Sequence, residues 1–156
     1  MTAPSAQTDD GVMMLRCPTC NAWNRVRGSR AADGPKCGQC AAAIDVAHPF
    51  LLSDETFART VRESTVPVLV DFYADWCGPC KQMAPAVDAL ASKYRGAALV
   101  AKLDTDRAQQ TAGAFRITGI PTTIVFAGGA EVARQAGAVP LPALERLLAR
   151  GGVAPR

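Results

Sequence analysis

The sequence predicts an α/β fold, a central mixed sheet flanked by helices, preceded by a small four-cysteine module. Three observations carry that reading. Val68 to Tyr73 is an apolar run broken only by Asp71, the pattern of a strand covered on both faces. It leads into Cys77-Gly78-Pro79-Cys80 and then a helical repeat of Met83, Val87, Leu90, Ala91 and Tyr94. Strand and helix patterns alternate further on, until Gly128-Gly129 marks a hairpin, so parallel and antiparallel pairings should coexist. Finally, Cys17-Pro18-Thr19-Cys20 and Cys37-Gly38-Gln39-Cys40 stand 16 residues apart, as two metal-binding turns would.

Residues 1–11 are polar and small, with little to bury, and are expected to be disordered. Residues 12–46 form the cysteine module. Only Trp23 and Val26 offer apolar surface between its cysteine pairs, so the segment needs a staple. Four thiolates from two turns suit one tetrahedral zinc, held by Cys17, Cys20, Cys37 and Cys40. Two disulfides or a second redox pair are the alternatives. His48 reads as a linker residue, because four cysteines already complete a zinc shell.

Residues 47–156 form the larger domain, with the boundary near Asp45 to Pro49. Ser53-Asp54-Glu55 starts a helix bearing Phe57 and Val61 on one face. Pro67 opens the central strand. Pro85 should kink the helix that follows, and Gly96 ends it. Ala98 to Leu103 is the next strand. Thr105 or Asp106 should cap a helix carrying Ala108, Ala112 and Phe115. Thr122 to Phe126 pairs through the glycine turn with Glu131 to Ala136. Pro142 opens the last helix, whose stripe is Leu144, Leu147 and Leu148.

Composition narrows the function. The chain has 156 residues, 49% hydrophobic and 20% charged, as a globule would. A net charge of +3 with scattered basic residues gives no case for nucleic acid. No apolar stretch approaches the length of a membrane span, and the N-terminus shows no signal-peptide core. A cytoplasmic location is expected. Six cysteines there suggest metal ligation or catalysis rather than structural bridges.

Cys77 falls at a helix N-terminus, where free N–H groups and the helix dipole favour a thiolate. Pro79 suits the first turn, where its missing N–H costs little. Cys77 is read as the nucleophile, nearer the surface, and Cys80 as the more buried resolving thiol. Asp71, a carboxyl in an apolar strand, should have its pKa raised by desolvation and can serve Cys80 as a base. Lys102, on the next strand, is its candidate ion-pair partner.

Trp76-Cys77-Gly78-Pro79-Cys80-Lys81 is similar to the active-site sequence of the thioredoxin family, and the resemblance extends from about Phe50 to Arg150. It implies the thioredoxin fold and a protein-disulfide reductase working through mixed disulfides. Clients would be disulfide-containing proteins, and an NADPH-dependent thioredoxin reductase would recharge the chain. No organic cofactor would be bound, and the protein would be a monomer. It also implies that Asp71 and Lys102 act at the site, and that Ile120-Pro121 forms a cis-proline loop. Trp76, Gly78, Pro79, Ile120, Pro121 and Gly137 would then meet the substrate. Tyr73 stands where the family most often has tryptophan. The four-cysteine module and Gly137-Ala138-Val139-Pro140 resemble the zinc-bearing subgroup called thioredoxin 2. An oxidase or isomerase on the same fold, and a zinc-dependent binding or holdase module, are the rival functions.

Overall fold

The computed structural model describes residues 10–156, so most of the segment expected to be disordered lies outside the described residues. Its last two residues do not follow that expectation. The Asp10 carboxylate accepts from the Ser29 N–H at 3.0 Å, and the Gly11 carbonyl accepts from the Gly28 N–H at 2.7 Å.

An antiparallel hairpin follows, β1 (Val12–Arg16) against β2 (Trp23–Arg27). In β1, Met13, Met14 and Leu15 are all buried, because both faces of the hairpin are covered. No alternating pattern therefore marks it as a strand. A short 3-10 turn, Gly28–Asp33, leads on towards the second cysteine pair.

The main sheet has the order β3-β5-β4-β6-β7. Its strands are β3 (Phe50–Leu52), β4 (Val68–Tyr73), β5 (Leu99–Asp104), β6 (Thr122–Ala127) and β7 (Ala130–Ala136). The first three run parallel and the last two antiparallel to their neighbours, the mixed sheet expected. The hairpin turn falls at Gly128 and Gly129, at φ 60° and 82°, angles at which a side chain would be strained.

Helix α1 (Phe57–Glu63) covers one face and α2 (Gly78–Lys93) with α4 (Leu141–Ala149) the other, while the short α3 (Gln109–Ala114) follows β5. Strand alternation sorts the core accordingly. Val68, Val70 and Phe72 join Phe57 and Val61 on the α1 side, where Phe57 meets the rings of Phe115 and Phe126 at 5.3 and 5.4 Å. Leu69, Val100 and Val125 meet Met83, Val87, Leu90, Leu144 and Leu148 on the α2 side. Pro85 lies inside α2 without ending it.

The cap of α3 differs from expectation. Thr105 and Asp106 do not cap it, being used in the preceding turn. The Thr105 hydroxyl donates to the Tyr73 carbonyl, and the Asp106 N–H donates to the Asp104 carboxylate. The Asp54 carboxylate instead accepts from the Thr111 N–H at 2.9 Å, the Thr111 hydroxyl at 2.7 Å and the Gln110 N–H at 3.3 Å. A residue 57 positions away thus satisfies the helix start.

The cysteine module is docked on the larger unit. Val12 N–H donates to Thr65 Oγ1 at 2.7 Å, Met14 N–H to Ser64 Oγ at 2.9 Å, and Thr65 N–H returns to the Val12 carbonyl at 2.8 Å. The Arg59 guanidinium stacks over the Trp23 ring at 4.6 Å. Gly28 and Gly96 approach so closely that a Cβ on either would overlap the other's carbonyl oxygen. Met13, Leu15, Val26, Ile44 and Val46 lie in one buried cluster with Phe57, Val61, Val66 and Val68. The module buries more apolar side chains than its inter-cysteine segment suggests, and it shares a core with the sheet.

Candidate functional site

Strand β4 ends at Tyr73, and the chain turns through Ala74-Asp75-Trp76 to reach α2. Cys77 is the N-cap of that helix, and its sulfur accepts from the Cys80 N–H at 3.2 Å. The helix start therefore offers Cys77 a hydrogen bond and the positive end of a dipole, both of which favour negative sulfur. Pro79 occupies the first turn. The two cysteines are joined as a disulfide, with Cα atoms 5.3 Å apart, so the structure shows the oxidised form.

Burial does not separate the cysteines as expected. Cys77 is 2% exposed and Cys80 5%. The Ile120 segment covers Cys77, whose sulfur lies 3.8 Å from the Ile120 carbonyl oxygen. The asymmetry lies in their neighbours. Cys80, not Cys77, lines a cavity of about 130 Å³ with Asp71, Tyr73, Val87 and Lys102.

Asp71 is 4% exposed, and its Oδ1 has no hydrogen-bond partner. Burial pushes its carboxyl up from 3.8 to about 6, against the opposing charge of Lys102. Lys102 is the β5 register partner of Asp71. The expected ion pair between them is not among those the described residues form. The Lys102 ammonium sits over the Tyr73 ring, 4.2 Å from its centre, where the π face attracts it. Tyr73, at the family's usual tryptophan position, thus holds the cation beside Asp71.

The expected substrate side also comes together. Ile120-Pro121 is a cis peptide, and Ile120 packs against Ala74, Cys77 and Cys80. The Gly137 N–H donates to the Pro121 carbonyl at 2.8 Å. Gly137 has φ 89°, and nothing lies within 4 Å of where its Cβ would stand, so open space adjoins it. Gly78 is open in the same way. Trp76 is 68% exposed, with its Nε1–H donating to Asp106 at 2.8 Å. Asp106 was missed as a site residue. It lies 30 positions from Trp76, and no local pattern links them.

The four remaining cysteines converge. Their sulfurs all lie within 4.8 Å of one another, with Cys17 to Cys40 at 3.7 Å and Cys20 to Cys37 at 3.6 Å. A zinc–sulfur bond of about 2.3 Å gives a tetrahedron with edges of about 3.8 Å, so the set fits that ion. The two turns repeat one geometry. Asn21 N–H donates to the Cys17 carbonyl and Cys17 N–H to that of Ala22, and Ala41, Cys37 and Ala42 do the same. Thr19 N–H points at Cys17 sulfur at 3.4 Å, and Gln39 N–H at Cys37 sulfur at 3.3 Å. The Asn24 side chain donates to Cys37, and with the N–H groups of Cys40 and Gln39 it brings that thiol down to about 6. A thiolate ligand is favoured in that setting. His48 stays outside the cluster, bonded to the Asp45 carboxylate at 2.7 Å.

Each turn ends in a left-handed residue, Asn21 at φ 67° and Ala41 at φ 65°. Asparagine tolerates that region and alanine does not. Ala41→Gly is expected to stabilise the chain by about 0.5–1 kcal/mol, read from the denaturant midpoint. A loss of stability would contradict strain at Ala41.

Comparison with known proteins fits this geometry. The thioredoxin family model matches residues 48–150, and the model described as thioredoxin 2, N-terminal, matches residues 16–42. Thioredoxin C-3 of Corynebacterium nephridii is 39% identical over 127 residues, covering 81% of this chain and 87% of that protein. Thioredoxin 1 of Nostoc sp. is 46% identical over 97 residues, covering 62% of this chain and 91% of its own length. A bifunctional thioredoxin reductase/thioredoxin of Mycobacterium leprae is 46% identical over 95 residues, covering 61% of this chain and 21% of that longer protein. A match that spans the whole main sheet, with the paired cysteines capping α2, means that this chain belongs to the thioredoxin family and is a thiol–disulfide oxidoreductase.

Proposed function

We propose that the chain is a reductant of protein disulfides. The observation that carries this reading is the Cys80 N–H aimed at Cys77 sulfur at the start of α2. In the reduced protein the Cys77 thiolate attacks a client disulfide, forming a mixed disulfide and releasing one client sulfur as thiolate. Cys80 gives its proton to the Asp71 carboxylate, and its thiolate attacks Cys77 sulfur. The second client sulfur leaves, and Cys77–Cys80 closes. Lys102 moderates the charge on Asp71. Trp76, Gly78, Pro79, Ile120, Pro121 and Gly137 form the surface on which an extended client segment docks. Reduction of insulin by dithiothreitol, with and without the protein, tests the reading. No acceleration would overturn it.

Asp71 has a definite pH signature. Its carboxyl titrates at about 6 when folded and 3.8 as a free side chain. The folded state therefore holds the proton more tightly, and stability falls as pH rises through that window. At about 1.4 kcal/mol per unit, Asp71 costs about 3 kcal/mol at pH 8. Asp71→Asn is expected to raise stability by about that amount at pH 8 and by almost nothing below pH 4. The same variant should slow release of a mixed disulfide and remove its fall below pH 6. Equal stability changes at both pH values would show that Asp71 is not a desolvated acid.

A thioredoxin reductase with NADPH as ultimate donor is the proposed source of electrons. The bifunctional relative, which carries both names in one protein, supports that pairing. We assign one zinc to Cys17, Cys20, Cys37 and Cys40, in a unit of residues 12–46 beside a thioredoxin domain of residues 47–156. The shared core favours a structural role for that metal. Redox sensing is the second reading, favoured by Cys40, which is exposed while Cys17 and Cys37 are buried. Among the described residues no helix is long and apolar enough to cross a membrane. We propose a cytoplasmic monomer that binds no organic cofactor.

A further inference from the structure

The sheet face beneath α2 carries one polar row. Register places Lys102, Asp71, Thr123 and Gln135 side by side on β5, β4, β6 and β7. The next row, Val100, Leu69, Val125 and Ala133, is buried and apolar. Thr123 is completely buried, and its Oγ1 has no hydrogen-bond partner. Asp71 Oδ1, on the adjoining strand, is the same, so the two oxygens do not bond each other in the rotamers seen here. Directly opposed residues of antiparallel strands hold their Cβ atoms about 5 Å apart on one face. Two unpartnered buried oxygens at such a pair stand in place of apolar side chains that would have cost nothing to bury.

A threonine hydroxyl can donate to a carboxylate and accept from a carboxylic acid, so it can serve Asp71 in both protonation states. Other groups near Asp71 are differently engaged. Lys102 on β5 is drawn onto the Tyr73 ring of β4. Cys80, Lys81 and Asp88 of α2, with Asp75, line the cavity beside it. On the β6 and β7 side the row is neutral, Thr123 and then Gln135, whose amide donates to the Ala136 carbonyl.

We propose that the Thr123 hydroxyl turns to the Asp71 carboxylate when it ionises and becomes its hydrogen-bond partner, a positioning residue that keeps the carboxylate available at lower pH. Its effect on turnover rests on the reading of Asp71 as the base for Cys80. The pairing itself does not.

The test compares wild type with Thr123→Val, Thr123→Ala and Thr123→Ser. The Asp71 carboxyl is titrated by carbon-13 NMR in the oxidised protein, and the pH profile of mixed-disulfide release is measured alongside. Loss of a donor to a charged acceptor should raise the Asp71 midpoint by about one pH unit in the valine and alanine variants. The serine variant should titrate as wild type does. An unchanged midpoint in the valine or alanine variant overturns the proposal. So does a serine midpoint shifted as far as that of valine, because packing would then be the cause. If valine does not fold, alanine against serine decides the question. A midpoint that moves while the release profile stays fixed supports the pairing and overturns the role of Asp71 as base.

Discussion

Cys77→Ser is expected to abolish disulfide reduction, with a loss of at least about a thousandfold, because a hydroxyl at neutral pH supplies almost no anion to attack sulfur. Cys80→Ser should behave differently. Attack by Cys77 remains, but resolution is lost, so mixed disulfides with clients should accumulate and survive non-reducing electrophoresis. The difference follows from the asymmetry around the pair. Cys77 receives the Cys80 N–H at the helix start, and Cys80 shares a cavity with Asp71. Both are nearly inaccessible in the oxidised form, so burial alone would not predict which sulfur attacks. Equal trapping by the two variants would reverse or erase the assignment.

What the sequence made legible follows the reach of its signals. The strand, the paired cysteines and the helix repeat lie within one continuous stretch, and each local preference agrees with its neighbour. The hairpin at Gly128-Gly129 was legible because a two-residue turn demands those angles. The β1–β2 hairpin was not, since Met13, Met14 and Leu15 are covered on both faces and show no alternation. Strand β3 spans only Phe50–Leu52, too short to carry a period. The Asp54 cap and the Trp76–Asp106 bond join residues 57 and 30 positions apart, a distance no sequence window spans. Lys102 illustrates a subtler limit. Strand order placed it beside Asp71, but the ring of Tyr73 decides where its ammonium rests.

Removing zinc is expected to loosen more than the segment that binds it. The sequence presents residues 12–46 as a separate stapled module, whereas Met13, Leu15, Val26, Ile44 and Val46 share a buried cluster with Phe57, Val61 and Val66. Strand β1 also donates two backbone N–H groups to the hydroxyls of Ser64 and Thr65, beside α1. Without the ion, four sulfurs within 4.8 Å of one another lose the centre that joins them, and the two turns are left with weak thiol contacts and the Asn24 side chain between them. The hairpin should then detach and expose the α1 side of the shared core. Fully exposing a single large apolar side chain costs about 1.5–3 kcal/mol, so several kcal/mol are at stake. At about 2–4 °C per kcal/mol for a chain of this size, the melting temperature should fall by about 10 °C or more. Reduction of insulin at 25 °C should largely persist, because Cys77, Cys80, Ala74, Tyr73 and Ile120 form a cluster of their own. The experiment chelates the metal under reducing conditions, counts the zinc released, and follows unfolding by calorimetry and activity in parallel. A melting temperature that does not move would mean that the hairpin holds its place without zinc. Activity lost in step with the metal would mean that the module contributes directly to the chemistry of Cys77.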